Sequence, residues 1–321
     1  MTAAIEVRGL QKRYGAAVAA DAMTFSVAAG ETFGIIGRNG AGKTTLVECL
    51  ATLRRPDAGD VRVLGLDPMR DGRLLRSRIG VQLQNATLPD RLKVREALDL
   101  FASFYPKRRP WPHLLARLGL AESAGVAFGE LSGGQKQRAF VALALVHEPE
   151  VVLLDELTTG LDPQARREIW ELVRGIREGG ATVLLTTHFM EEAERLCDRV
   201  AVIHRGRIVA LDAPEHLVAT AGARRRVSFR VDGTHDSGAH GTHALGSHAT
   251  HALGSLGSLP TVRSIRRIDG RIIVEGDGDA LVGDVIGALA GSGIRALDLR
   301  TEQSSLEDVF LALTGERLED S

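Results

Sequence analysis

The amino-acid sequence predicts an α/β fold built on a mixed sheet, with a small α+β region after it. Three observations carry that reading. Short apolar runs ending at turn residues recur at Thr32 to Ile36, Ile79 to Leu83, Val151 to Leu154, Thr182 to Leu185 and Val200 to Ile203. Helical patterns lie between them, at Lys43 to Leu53, Val94 to Tyr105, Gly133 to His147, Pro163 to Arg177 and Met190 to Cys197. Short buried strands alternating with helices make a parallel sheet, because a parallel connection needs a crossover long enough to bring the chain back. Beyond Ala213-Pro214 the alternation stops.

Taken in order, Ile5 to Ala29 holds two β-like runs and no helix, which predicts an antiparallel edge region. Between Gln84 and Leu131 the pattern turns mainly helical and is broken by Pro106, Pro110 and Pro112, so a helical subdomain is expected over residues 85–148. Asp162-Pro163 sets a capping carboxylate before a proline at the first helical position, and Gly179-Gly180 stops that helix. A short helix, Glu215 to Thr220, closes a first domain of residues 1–220. In the second, residues 221–321, Arg226 to Val231 reads as a strand, and Ile265 to Ile268 and Arg271 to Val274 flank the hairpin signal Asp269-Gly270. A helix at Ala280 to Ala290, a strand at Ile294 to Arg300 and a last helix at Ser305 to Leu313 complete it. Inside lies a low-complexity tract, Gly233 to Pro260, in which Thr242 to Ser247 recurs at Thr250 to Ser255 and which holds five of the ten histidines. A metal-binding tract is one reading. A flexible loop expanded by duplication is the one we adopt, because no cysteine lies near and a Gly/Ser/Ala background cannot preorganise ligands.

Apolar residues make up 44% of the 321, enough for a packed core, and the net charge of −1 creates no field directed at nucleic acid or an anionic membrane. Cys49 and Cys197 show no metal or redox spacing and read as reduced core thiols. Met1 to Glu6 lacks the basic-then-apolar pattern of a secretion signal. No apolar run approaches the ~18 residues that span a bilayer, so a role at a membrane requires another chain to supply the span.

Three segments carry chemistry. Gly37-Arg38-Asn39-Gly40-Ala41-Gly42-Lys43-Thr44-Thr45 fits G-x-x-x-x-G-K-[ST], follows an apolar run and opens a helix, the context a phosphate-binding loop requires. Its glycines let backbone N–H groups turn toward phosphate oxygens, and the helix N-terminus adds partial positive charge. Lys43 is expected on the β- and γ-phosphates, the Thr44 hydroxyl on Mg²⁺, and Thr45 on a further phosphate oxygen. Val151 to Glu156 is a strand ending in two adjacent acids, which are costly to bury except beside a cation. Asp155 is the expected Mg²⁺-side carboxylate, and Glu156 the general base or orienter of an attacking water. Leu131-Ser132-Gly133-Gly134-Gln135, continuing Lys136-Gln137-Arg138, is a second Gly-rich helix start in a chain that already has its phosphate cradle.

Together these segments resemble the nucleotide-binding subunit of an ABC transporter, which implies a P-loop NTPase fold of the ABC ATPase type. The resemblance assigns further residues. Tyr14 sits where the family stacks an aromatic on adenine. Gln84 matches the glutamine at the junction of sheet and helical subdomain, where it is implied in catalysis and at the metal; Gln82 competes for the place, but the spacing to the strand and to Leu92-Lys93-Val94-Arg95-Glu96 favours Gln84. Thr159-Gly160-Leu161-Asp162 matches the loop that crosses the dimer interface, with Asp162 counted among the nucleotide-side residues, and His188 matches the switch histidine near the γ-phosphate. Leu157 departs from the family, which usually has proline there. The whole chain, with its tail Ser305 to Gly315, is also similar to daunorubicin-resistance-type bacterial drug-export ATPases, in which the tract Gly233 to Pro260 has no expected counterpart.

The resemblance implies two copies that sandwich two ATP molecules head to tail, with Ser132, Gly133, Gly134 and Gln135 of one copy facing ATP held by the other. It implies an integral-membrane permease as second partner, a place on the cytoplasmic face of the membrane, and export of a drug-like or lipophilic compound. A non-transport ABC ATPase acting on a protein partner is the alternative. A ribosome-acting relative would carry two cassettes, a DNA-repair relative a long coiled-coil insertion, and a P-loop kinase would lack Leu131 to Gln135.

Overall fold

A computed structural model describes residues 3–106, 110–220, 224–231, 254, 256–268, 270–278, 280–302 and 305–316. Two compact units divide the chain, Met1–Glu215 together with Leu313–Ser321, and His216–Ala312. The division falls a few residues before the position 220 that the sequence suggests, and the tail joins the first unit. Most of the tract Gly233 to Pro260 lies outside the described residues.

The first unit is organised by a six-stranded sheet in the order β5-β6-β7-β3-β8-β9. Its strands are β3 (Thr32–Ile36), β5 (Ile79–Gln82), β6 (Val151–Asp155), β7 (Thr182–Thr187), β8 (Arg199–His204) and β9 (Arg207–Asp212). All pair in parallel except β8 with β9. Every residue of β3, β6 and β7 is buried, as expected of central parallel strands covered on both faces. A second sheet of three antiparallel strands, β2-β1-β4, supplies the predicted edge region: β1 (Ala3–Tyr14), β2 (Ala17–Ala28) and β4 (Ala58–Val63). Along β2, Met23, Phe25 and Val27 are buried while Thr24 and Ser26 are exposed, so one face of this sheet joins the core.

Helix α1 (Lys43–Leu50) lies in that core, where Leu46, Val47, Cys49 and Leu50 pack with Ile5, Val7, Phe33 and Ile35. Phe33 stacks on Phe25 with ring centroids 5.3 Å apart. Strands β4 and β9 are absent from the strands expected above: β4 is half exposed and begins Ala58-Gly59-Asp60, and β9 holds the short run Ile208 to Leu211 but has no fully buried position. After α2 (Gly72–Arg76), the helical subdomain holds α3 (Val94–Ser103), α4 (Trp111–Arg117) and α5 (Gly133–Leu145), with its own core of Val94, Leu98, Leu115, Phe128 and Ala142. The remaining helices of the first unit are α6 (Pro163–Glu178) and α7 (Met190–Leu196), and α8 (Pro214–Thr220) spans the boundary.

The second unit has a four-stranded antiparallel sheet, β11-β12-β10-β13, from β10 (Arg224–Val231), β11 (Val262–Ile268), β12 (Arg271–Asp277) and β13 (Ala296–Glu302). Ile268 pairs with Arg271, the two-residue hairpin that Asp269-Gly270 predicts, and Gly270 takes φ +75°. Helix α9 (Ala280–Gly291) covers the sheet with Leu281, Val285 and Leu289 against Val227, Phe229 and Val274. Helix α10 (Leu306–Thr314) ends the described fold.

Phe33 is fully buried under a stacked partner, so Phe33→Ala leaves a cavity that β3 cannot close. The substitution is expected to cost about 3–5 kcal/mol, measured by chemical denaturation of the full chain.

Candidate functional site

Parallel pairing lines up the C-terminal ends of β6, β7 and β3. Asp155 pairs with Thr186, Thr186 with Ile35, and Thr187 with Ile36, so loops leaving these strands converge on one edge. Ligands bind α/β sheets at this edge. The loop after β3 turns back over α1. Two of its glycines are required by space: a Cβ on Gly37 would lie 2.5 Å from the Ile203 carbonyl oxygen, and one on Gly42, at φ +106°, would lie 1.9 Å from that of Ala19. Asn39 and Gly40 are exposed at the crest, while Ala41 is buried and accepts a hydrogen bond from the Gly206 N–H at 3.2 Å.

Lys43 is buried at the centre of this loop. Its Nζ donates to the carbonyls of Gly37 at 2.7 Å and Arg38 at 3.1 Å, and lies 3.0 Å from Glu156 Oε1. The other carboxylate oxygen, Oε2, accepts from Gln84 Nε2 at 3.0 Å and Thr159 Oγ1 at 3.2 Å, and lies 3.3 Å from His188 Nδ1. The His188 approach lacks hydrogen-bond alignment, so it acts as a charge contact when the ring is protonated. Burial alone would raise the Glu156 carboxyl, but His188 and Lys43 outweigh it and bring the carboxyl down to about 2. Glu156 stands at φ +50°, a left-handed conformation uncommon for a non-glycine residue, and its N–H is held by the Thr186 carbonyl at 3.1 Å.

Asp155 is fully buried. Its Oδ1 accepts from Thr186 Oγ1 at 2.5 Å, and Oδ2 makes no hydrogen bond. Burial pushes this carboxyl up, against the opposing pull of the Thr186 and Thr44 hydroxyls. Of the two candidate glutamines it is Gln84 that reaches Glu156; the Gln82 amide donates to its neighbour Leu83 and to Gln137. At the rim, Tyr14 is 42% exposed, with its hydroxyl 3.4 Å from Thr45 Oγ1 and the Arg54 guanidinium 5.1 Å from its ring centre.

The segment Ser132 to Gln135 is built differently. Ser132 Oγ accepts from the Gln135 N–H at 3.3 Å, and the Gln135 amide accepts from the Ser132 N–H at 2.9 Å, a reciprocal cap on α5. Gln135 thus serves the cap. Ser132 and Gly133 are exposed, and Gly134 has Ala165 of α6 as its neighbour. Asp162, counted above with the nucleotide-side residues, caps α6, where its Oδ1 accepts from the N–H groups of Gln164 and Ala165 at 2.9 Å. Helix starts of this kind leave four backbone donors to satisfy, which is why both segments spend their side chains locally.

Sequence reading missed several supporting residues. Thr186 holds both Asp155 and Glu156, and its only signal was a hydroxyl within a buried apolar run. Glu192, buried on α7, accepts from Thr158 Oγ1 at 3.1 Å and so ties the loop after β6 to the segment after His188.

A phosphate loop closed on a buried lysine, with a strand-end Asp-Glu pair and a polar rim, defines a P-loop nucleoside triphosphatase. Comparison with known proteins narrows the class. The ABC transporter family matches residues 20–159. The chain is 41% identical over 322 residues to daunorubicin resistance ATP-binding protein DrrA3 of Streptomyces coeruleorubidus, covering 98% of this chain and 96% of that one. It is 35% identical over 99% of its length to a Nod factor export ATP-binding protein of Ralstonia nicotianae, of which it covers 96%. Among solved structures, the ATP-binding subunit of an ABC transporter superposes with TM-score 0.62 at 29% identity, over 68% of this chain and 93% of that one. A dimeric bacterial ABC transporter cassette gives 0.58 at 26% identity over 65% and 98%. The chain belongs to the ATP-binding subunits of ABC transporters, and its activity is ATP hydrolysis. No helix among the described residues is long and apolar enough to cross a membrane.

Because the folded Glu156 carboxyl titrates near 2 against an ordinary 4.5, the nucleotide-free protein carries stability that is complete above pH 4.5 and lost as pH falls toward 2. The contribution is about 3 kcal/mol at most. Thermal unfolding followed between pH 6 and pH 2 is expected to show this loss in the wild type and a smaller one in Glu156→Gln.

Proposed function

We propose that this chain is half of a head-to-tail ATP-sandwich pair that drives export through a separate membrane permease. The observation that carries the pairing is the state of Ser132: every hydrogen bond it makes lies within its own helix cap, at an exposed helix start that serves no ligand in its own chain. A second copy supplies one, because the γ-phosphate of its ATP meets the Ser132 hydroxyl, the Gly133 and Gly134 N–H groups and the positive end of α5. The relation to a cassette described as dimeric supports this reading.

In each site, Tyr14 stacks on adenine, Gly37 to Thr45 cradles the phosphates, and Lys43 leaves Glu156 for the triphosphate. With Lys43 gone, the Glu156 carboxyl loses one of the groups that hold it low and becomes a better base. It takes the proton of a water whose oxygen bonds to the γ-phosphorus as the bond to ADP breaks. Gln84 and His188 position that water. The donor set also fits Mg²⁺: Asp155 Oδ2 is buried without a partner, beside the Thr44 hydroxyl, and Gln84 can turn its carbonyl inward. Bound there, the ion would neutralise triphosphate charge. Loss of the γ-phosphate removes the bridge between copies and lets them part.

The permease partner is assigned to the groove of about 290 Å³ between sheet and helical subdomain, lined by Leu83, Leu88, Phe101, Tyr105, Phe140 and His147. It is largely apolar, and its lining residue Leu83 precedes Gln84 in the chain, so an inserted helix there would feel the nucleotide state. With the permease as its partner, the chain would work as a peripheral subunit at the cytoplasmic face of the membrane. Relatives named for daunorubicin resistance and Nod factor export point to a lipophilic or drug-like cargo leaving the cell.

Glu156→Gln is expected to bind ATP, to release phosphate at least a hundredfold more slowly, in line with loss of a general base, and to sediment as an ATP-dependent dimer. Ser132→Arg is expected to keep ATP binding by the single copy while abolishing turnover. Wild-type turnover in both would defeat the proposal; co-purification with a polytopic membrane protein tests its transport half.

A further inference from the structure

The tail beyond α10 reaches the phosphate loop. Glu316, part of the first unit, accepts from two guanidinium groups, Arg38 Nη1 at 3.0 Å on Oε2 and Arg205 Nη2 at 2.8 Å on Oε1. Its own backbone is anchored: the N–H donates to Thr314 Oγ1 at 3.2 Å, and the carbonyl accepts from the same hydroxyl at 3.2 Å. Arg205 and Arg38 hold its carboxyl below the usual range. Arg38 is the second residue of the phosphate loop. Arg205 begins the turn between β8 and β9, where it takes φ +48°, and the next residue, Gly206, donates to Ala41 of the same loop at 3.2 Å.

Three of the ties on this loop therefore come from different sides. Lys43 binds the Gly37 and Arg38 carbonyls from within, Gly206 holds Ala41 from behind, and Glu316 holds the Arg38 side chain from outside. A nucleotide weakens the first of these, since the three N–H donors of Lys43 already serve two backbone carbonyls and Glu156, and a triphosphate must draw at least one of them away. The shape of the loop then rests more heavily on the outer ties, at the moment when its N–H groups have to be aimed at phosphate.

We propose that Glu316 is a positioning residue for ATP binding: by clamping Arg38 to Arg205 it keeps the phosphate loop in its binding shape once Lys43 has turned to the nucleotide. The clamp acts from the surface and touches neither substrate nor reacting atoms. It therefore sets affinity for ATP and leaves the chemical step alone. It rests on the reading of Gly37 to Thr45 as the phosphate cradle.

The test is steady-state ATP turnover by the full chain. Glu316→Gln is expected to raise KM for ATP about two- to fivefold, the effect of a partly exposed charge pair, with kcat unchanged. Glu316→Asp, which keeps the charge, is expected to recover part of the loss. Added salt should raise KM of the wild type more than that of Glu316→Gln, because the clamp is screened only where it exists. The exchange pair Arg38→Glu with Glu316→Arg should bind ATP better than Arg38→Glu alone. An unchanged KM in Glu316→Gln, or a fall in kcat at constant KM, overturns the inference. Lys43→Ala separates it from the reading beneath: retained ATP binding in that variant would defeat the cradle itself.

Discussion

The ion pair between Lys43 and Glu156 is the constraint around which this site is arranged. Both side chains are buried, with 3% and 4% exposure, and they meet at 3.0 Å. A charge taken from water alone is costly, so each of the two offsets part of the cost of burying the other. They arise from different strands, Lys43 after β3 and Glu156 after β6, with β7 between them in the sheet. The parallel register of three strands must therefore hold for the pair to close. Thr186 on the middle strand bonds both Asp155 and Glu156, so the strand between the partners also orients them.

The same pair sets the state of both groups in the free chain. Lys43 is engaged by two carbonyls and a carboxylate, and Glu156 is held well acidic, as a weak base. In the proposed cycle the triphosphate competes for Lys43, so that nucleotide binding loosens the hold on the base before the second copy completes the site. The strained backbone at Glu156 fits this role, because a left-handed residue persists only where its surroundings hold it.

Much of the cradle and the acids could be read from the chain because their requirements are local. Gly37 and Gly42 are needed where backbones approach too closely for a Cβ, and a lysine at a helix start after a buried strand has few other uses. The central strands were legible as unbroken apolar runs, since both faces are covered. The edge strands β4 and β9 were not picked out: Gly59 and Asp60 break β4, and the short run Ile208 to Leu211 of β9 is nowhere fully buried. The preference for Gln84 over Gln82 was legible too, from its spacing to the strand and to Leu92 to Glu96; in the structure the Gln84 amide reaches Glu156, while that of Gln82 donates to Leu83 and Gln137.

By itself the sequence determined the phosphate loop, the acidic strand end, the capped glycine-rich helix start and the α/β class, because each is set by residue types at short spacing. Only the tertiary structure decided which partners those groups take. Thr186 beneath the acids, Glu192 beneath the loop after β6 and Glu316 against Arg38 are joined over separations of 30 to 278 residues. Asp162 and Gln135, nucleotide-side residues by resemblance, also close helix ends within the chain. The physical reason is the same in each case. A polar side chain is satisfied by whichever donor or acceptor the packed backbone brings within about 3 Å, and that choice is made by strand order and register, not by neighbours along the chain.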